Sequence, residues 1–188
     1  MTLIGTDVRI EPLNTEKHHR SLYQNFLQTP DAFQWVLDSD IETLKEFRLY
    51  CLKREQNPEM ANFVVSKTDL PGDYLGVNSL AKPVLKHKNI DLELGIYSNK
   101  LQGTAASTES YYLLPRYVYG ELRFMKANVK DILPRNRRAT RTLERLGFTL
   151  EVYSSRALVI KNYALDVTCW GMTEPEWQNV KIGLEQQG

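Results

Sequence analysis

Hydrophobic and polar positions recur along this chain with two periods, and the switches between them mark out the elements. From Asp7 to Leu13 they alternate, with Val8 and Ile10 on one side, which predicts a short strand. Over 15–28 the period lengthens. Leu22, Tyr23, Phe26 and Leu27 fall on one helical face. Ser39 followed by Glu42 has capping-box spacing and predicts a helix over about 40–56. Its buried stripe is Ile41, Leu44, Phe47, Cys51 and Leu52, which makes Cys51 a small core residue rather than a nucleophile. Period two then returns at Asn62–Lys67 and Tyr74–Leu80, joined through a Pro71-Gly72 turn, with a strand edge at Val84-Leu85 in the turn that follows. In Ile90–Tyr97 the residues Ile90, Leu92, Leu94 and Ile96 face one way, and Asp91, Glu93, Gly95 and Tyr97 the other.

A loop over 98–103 leads into a predicted helix over about 104–120, in which Pro115 predicts a kink or break near Tyr111–Leu114. A strand near 125–129 and a helix over 135–146 follow. Strands are predicted near 148–154, 156–161 and 166–172, and the tail 174–187 is weakly helical. The order is β-α-α-β-β-β-α-β-α-β-β. Three consecutive strands imply an antiparallel meander, and the strand–helix–strand units after it imply some parallel pairing. The fold class is therefore α/β (α+β): a mixed sheet with helices on both faces. No Pro/Gly/Ser-rich linker divides residues 1–188, so one domain is expected.

Composition narrows the function. The 188 residues carry 24 Lys+Arg against 23 Asp+Glu, a net charge of +1, which argues against a protein that binds nucleic acid through bulk charge. No apolar run approaches the ~18 residues of a membrane span. The start, MTLIGTDVRI, lacks the pattern of a signal peptide. Cys51 and Cys169 are far apart, and His18-His19 have no other ligand type nearby, so neither a disulfide scaffold nor a metal site is expected. The expectation is a cytoplasmic protein without metal, nucleic-acid or membrane partner.

The segment with chemical content is 90–109, IDLELGIYSNKLQGTAASTE. A strand ends, a loop passes through Gln102-Gly103-Thr104-Ala105-Ala106-Ser107, and a helix begins near Thr108-Glu109. Small residues admit a ligand to the backbone, and the first N–H groups of a helix have no internal partner. That combination suits a phosphate or pyrophosphate, although a close-packed loop would look the same. A second feature is 134–147, PRNRRATRTLERLG, with five Arg and one Glu. It is either a solvated outer face or an attractor for a small anion.

The order and spacing of these pieces resemble the GCN5-related N-acetyltransferases (GNAT), in the branch with ribosomal-protein N-terminal acetyltransferases. The matching residues are Glu93-Leu94-Gly95, Leu101-Gln102-Gly103-Thr104, Thr108-Glu109, Asn136 ten residues before Leu146-Gly147-Phe148, then Glu151, Asp166 and Glu176-Trp177. The resemblance implies the GNAT fold, with a mixed, mostly antiparallel central sheet. It implies transfer of an acetyl group from acetyl-CoA to an amine of a small molecule or peptide N-terminus.

The resemblance also implies roles. The loop Gln102, Gly103, Thr104, Ala105, Ala106 and Ser107 would cradle the pyrophosphate, with Ala105 and Ser107 where the family loop usually has Gly and Gly or Ala. Amides near Ile96 to Ser98 would polarise the thioester carbonyl. Glu93 would act as base, unless it is simply ion-paired. Asn136 would contact the pantetheine arm or a catalytic water, unless it caps its helix. Arg137, Arg138 or Arg141 would attract the 3′-phosphate of CoA.

The chain also departs from the family pattern. Ala139 stands where the family usually has a Ser that protonates the departing thiolate, which leaves Tyr97 and Tyr153 as substitutes. Glu151-Val152-Tyr153-Ser154-Ser155 lacks the Gly and Arg of the family's Glu-Gly-x-x-Arg. These departures keep open a second reading, the same fold turned to decarboxylation, cyclisation or condensation, and a third, a catalytically silent binding module. The C-terminal segment and exposed tyrosines leave room for a homodimer.

Overall fold

The computed structural model describes residues 1–30, 32–35, 41–160 and 162–185. Two compact units share the chain. The first comprises Met1–Ala81 and Leu94–Leu113, the second Lys82–Glu93 and Leu114–Gly188.

In the first unit, β1 (Leu3–Ile4), β2 (Val8–Pro12), β3 (Met60–Lys67) and β4 (Tyr74–Val84, here to Ala81) pair antiparallel in chain order. This is the predicted meander, extended by β1. Helix α1 (Thr15–Leu27) starts where the Asn14 side chain accepts the Lys17 N–H. Helix α2 (Leu44–Glu55) starts at a capping box formed by Thr43 and Glu46. Leu22, Tyr23 and Phe26 of α1 and Phe47 and Cys51 of α2 are buried with Val64 and Val77 of the sheet. The rings of Tyr23, Phe26 and Phe33 all lie within 6 Å of Phe47, at 5.6, 5.8 and 5.9 Å. Cys51 is 2% exposed, and burial pushes its thiol up to about 12, so it is core, as expected. The residue after Val77, Asn78, faces the other way and meets Ser110 of α3 (Ala105–Gly120). Helices thus cover both faces of this unit.

In the second unit, β5 (Asn89–Glu93) pairs parallel with β6 (Lys126–Ile132). β6 pairs antiparallel with β8 (Tyr163–Thr173), and β8 with β7 (Thr149–Ile160). The mostly antiparallel, mixed pairing is that of the expected α/β class. Helices α4 (Arg137–Arg145) and α5 (Glu174–Glu185) belong here with the second half of α3. Ile90, Leu92, Ala127, Val129, Trp170 and Met172 are buried. Tyr119 stacks on Trp177 at 5.9 Å and donates its hydroxyl hydrogen to the Met172 carbonyl at 2.6 Å.

Several expectations are corrected. The box that opens α2 is Thr43/Glu46, four residues downstream of Ser39/Glu42, and Ser39 lies outside the described residues. Leu27 is 60% exposed: it is the last residue of α1, about 100° around the helix from the buried Phe26, and so lies off the face that meets the sheet. The strands expected at 148–154 and 156–161 are one strand, β7. A register shift between Ser154 and Leu158, with Arg156 at φ 51°, breaks the alternation without ending the ladder. The break allowed for at Pro115 does not occur, and α3 is one helix from Ala105 to Gly120. Leu113, Leu114, Val118 and Tyr119 around Pro115 are buried, and that packing outweighs one missing hydrogen bond. Asp91, expected on a polar face, is 7% exposed and pairs with Lys130 at 2.9 Å.

Candidate functional site

The ladder of β5 with β6 ends at Asp91 opposite Asn128, inside the second unit. From Leu94 the chain belongs to the first unit, where it lies along β4. Val77 donates its N–H to the Ile96 carbonyl at 3.0 Å, and Ser98 donates to the Leu75 carbonyl at 2.8 Å. Between these bonds Gly76 and Tyr97 form an isolated antiparallel bridge. Gly95 is required here by proximity, since a Cβ on it would stand 1.7 Å from the Val77 carbonyl oxygen. The arrangement sorts the amides expected to polarise a carbonyl. Ser98 N–H is already committed to Leu75. Tyr97 N–H, by the alternation of a strand, points away from β4.

After this strand the chain turns sharply. Leu101 and Gln102 both donate their N–H groups to the Ser98 carbonyl, at 3.0 and 2.9 Å. Gln102 also donates its side-chain amide to the Tyr97 carbonyl at 2.5 Å. Gly103 sits at φ 72°, a left-handed conformation that suits glycine, and nothing lies within 4 Å of where its Cβ would be. Thr104 then caps α3. Its hydroxyl accepts the Ser107 N–H at 3.2 Å and donates to the Leu101 carbonyl at 2.7 Å.

Ala105 and Ala106 are the first helical residues, and their N–H groups have no acceptor among the described residues. Ala105 and Gly103 are exposed, while Ala106 and Ser107 are buried, with Ser107 Oγ donating to the Thr104 carbonyl at 2.8 Å. The loop therefore offers a ligand its backbone rather than side chains. Unpartnered N–H groups at the positive end of a helix dipole, beside residues without bulk, suit a phosphate or pyrophosphate, as the sequence led one to expect.

The helix was expected to open at Thr108-Glu109. It opens at Ala105, and Glu109 does something else. Its carboxylate accepts the N–H groups of Thr6, Asp7 and Val8 at 2.6, 2.7 and 3.0 Å and so ties the β1–β2 turn to α3. Gly5 makes room for it, because a Cβ there would meet the carboxylate carbon at 2.4 Å.

Tyr97 is 4% exposed. Its hydroxyl shares a hydrogen bond with Ser110 Oγ and accepts from Asn78 Nδ2 at 2.7 Å. Burial pushes that phenol far above its ordinary value, against the hydrogen bonds from Ser110 and Asn78. Its ring stacks on Tyr111, with centroids 4.7 Å apart and planes at 7°. The sequence reading named Tyr97 but missed Asn78 and Ser110. The available signal was an Asn in the middle of an apolar strand (Gly76-Val77-Asn78-Ser79-Leu80), where an amide needs a partner.

The other named residues lie in the second unit. Glu93 ends β5 and is half-buried. Asn136 caps α4, accepting the Ala139 N–H on its side-chain oxygen at 3.1 Å, which was its alternative reading. Arg137, Arg138, Arg141 and Arg145 are all exposed on α4, so the charged outer face is real. Tyr153 is 57% exposed on β7 and donates its hydroxyl hydrogen to Asp166, which raises the phenol above its ordinary value. Asp166 also accepts the Arg156 N–H and the Ser155 hydroxyl. Tyr153 thus ties the β7–β8 hairpin together. Among the described residues no group of three or more His, Cys, Asp or Glu could hold a metal ion, and no helix is long and apolar enough to cross a membrane.

No protein-family model and no curated protein matches the sequence. Solved structures do match the fold. A GCN5-related N-acetyltransferase from Brucella melitensis superposes with a TM-score of 0.90 at 23% identity, covering 99% of this chain and 84% of that one. A probable acetyltransferase of the GNAT family from Chromobacterium violaceum gives 0.86 at 23% identity, covering 94% and 88%. A variant spermidine N-acetyltransferase from Vibrio cholerae gives 0.70 at 15% identity, covering 92% and 98%. At these identities the likeness establishes the fold, which is the GNAT fold expected from the sequence.

Proposed function

We propose that this chain is an N-acetyltransferase that moves the acetyl group of acetyl-CoA to an amine of a small molecule or a peptide N-terminus. One observation carries the reading: the open N–H groups of Ala105 and Ala106 at a capped helix start, directly after a strand whose Tyr97 N–H points away from β4. The fold neighbours, which bear acetyltransferase names, support it. The helix start holds the pyrophosphate through backbone amides. Arg138, on the exposed basic face of α4, supplies charge for the 3′-phosphate.

The amine nitrogen attacks the thioester carbonyl carbon. Negative charge then grows on the carbonyl oxygen, where Tyr97 N–H donates a hydrogen bond. Collapse of the adduct expels the CoA thiolate. The proton released by the attacking nitrogen goes to Glu93, directly or through water. Ala139 has no proton to give, the Tyr97 hydroxyl is enclosed by Asn78 and Ser110, and the Tyr153 hydroxyl is engaged with Asp166. A thiol with a pKa of ~8.5 leaves as thiolate and takes its proton from water without a dedicated acid.

Calorimetry with acetyl-CoA followed by thiol release on an amine panel tests this. Binding with turnover is expected, and a Glu93→Gln variant should lose most of kcat near neutral pH. No binding at millimolar acetyl-CoA sinks the proposal. Ala139 favours one second reading, the same fold running a different reaction on a bound acyl-CoA. It predicts binding without thiol release on any amine.

A further inference from the structure

We infer that the side chain of Tyr97 is a positioning group, tying the 102–107 loop and the first turns of α3 to β4, so that its hydroxyl sets affinity for the acyl donor, while the backbone N–H of the same residue keeps the part in the chemical step proposed above. The nature of the donor rests on the acetyl-transfer reading; the geometry does not.

One side chain and its carbonyl reach three separate pieces of the first unit. The hydroxyl meets Asn78 of β4 at 2.7 Å and Ser110 of α3. The ring lies on Tyr111, also of α3, at 4.7 Å. The carbonyl accepts the Gln102 side chain of the loop at 2.5 Å. Asn78 and Ser110 are themselves 1% and 0% exposed, so the network sits inside the unit. Asn78 Oδ1 has no partner in it. Burying an amide with one atom unsatisfied is costly, and apolar side chains would pack the same space more cheaply. Such a network, once formed, admits few alternative placements of α3 against β4.

That placement matters for a ligand. Ser110 lies five residues from Ala105, roughly 7 Å along a rigid helix. Wherever Ser110 is held, the N–H groups of Ala105 and Ala106 are held too. Donors already fixed in place lose no freedom when an anion arrives, so loosening them weakens binding first. A catalytic acid would show the opposite pattern, and the buried phenol, with its proton held tightly, is poorly suited to that task.

Tyr97→Phe keeps the ring and the carbonyl and removes only the hydroxyl. Ser110→Ala removes the partner and guards against a Tyr97 variant that folds poorly. For each, three quantities are read: Kd for acetyl-CoA by calorimetry, the split of KM against kcat in thiol release, and amide hydrogen exchange over 102–108. Each variant removes two buried hydrogen bonds of the network, and both should bind acetyl-CoA roughly tenfold more weakly as part of that loss reaches the ligand. KM should rise with Kd and exchange over 102–108 should quicken in both variants, while kcat of Ser110→Ala should change by less than about twofold. A kcat lowered about a hundredfold at unchanged Kd would mark the hydroxyl as a proton donor and overturn the inference. Unchanged exchange over 102–108 overturns it as well. Wild-type protein that binds no acetyl-CoA refutes the proposed function alone, and the exchange measurement still decides the role of Tyr97.

Discussion

At Gly95 a single methyl group decides whether the strand can lie where it does. A Cβ there would overlap the Val77 carbonyl, which is backbone and cannot swing aside. Gly95→Ala should destabilise by about 3 kcal/mol, at the upper end of overpacking costs, as measured by urea denaturation. Retention of full stability would mean that the strand is not in that position. Glu11 and His18 carry a second residue-scale prediction. Burial by itself would raise the Glu11 carboxyl, but hydrogen bonds from Lys17, Arg9 and His18 outweigh it and hold the group at about 2. Burial also pushes the His18 imidazole below its ordinary 6.5, against the hydrogen bond to Glu11. The neutral ring fits its partners: Nδ1 accepts the Asn14 N–H and Nε2 donates to Glu11, each at 2.9 Å. Both groups act in the same direction. Below pH 6.5 the unfolded chain takes up a proton at His18 that the folded chain resists, so stability falls as pH drops. Between 4.5 and 2 it falls further as the unfolded chain protonates Glu11 first. Unfolding free energy should therefore decline from pH 7 to 5, and His18→Gln should flatten that part of the profile. An unchanged slope in His18→Gln would remove His18 as its source. None of this was legible in the sequence, where Glu11 is merely a polar position in an alternating strand.

At the scale of elements, the periodic signals located helices and strands well, and their ends less well. Two capping-box spacings are written close together, Ser39/Glu42 and Thr43/Glu46, and the helix opens at the second. The selected pair makes Thr43→Ala cost about 1 kcal/mol, readable as a shift in the urea midpoint. For α3, Thr104 supplies the cap and frees Glu109 to hold the β1–β2 turn. Glu109→Ala should lower stability by roughly 1.5–3 kcal/mol, since three N–H groups lose a charged acceptor. It should speed exchange at Thr6, Asp7 and Val8 in particular. Equal effects on remote amides would show that the loss is not local. The loop itself was legible, because small residues between a strand and a helix constrain the backbone locally. Which of its residues face outward was not. Ser107 has a hydroxyl suited to a phosphate, yet it turns inward to the Thr104 carbonyl, while Gly103 and Ala105 are the exposed residues of the loop.

For the whole molecule, a ligand that binds only the folded chain must stabilise it. Acetyl-CoA at a hundred times its Kd should add ~2.7 kcal/mol and raise Tm by several degrees. Because the donor is anionic and the α4 arginines are exposed, the rise should shrink as salt increases. No shift at any concentration would argue against the proposed cofactor, and a salt-independent shift against the role given to Arg138. The α/β class, the meander and the position of the loop were determined by the sequence alone. They depend on periodicity and turn chemistry, which act through a few neighbouring residues. Tertiary structure decided which polar side chains are buried together, as with Asn78, Tyr97 and Ser110, and how close Gly95 must come to Val77. It also decided that Ser98 N–H is already used by Leu75, more than twenty residues away in sequence. These facts depend on partners brought together by folding, and no local pattern in the chain encodes which partner arrives.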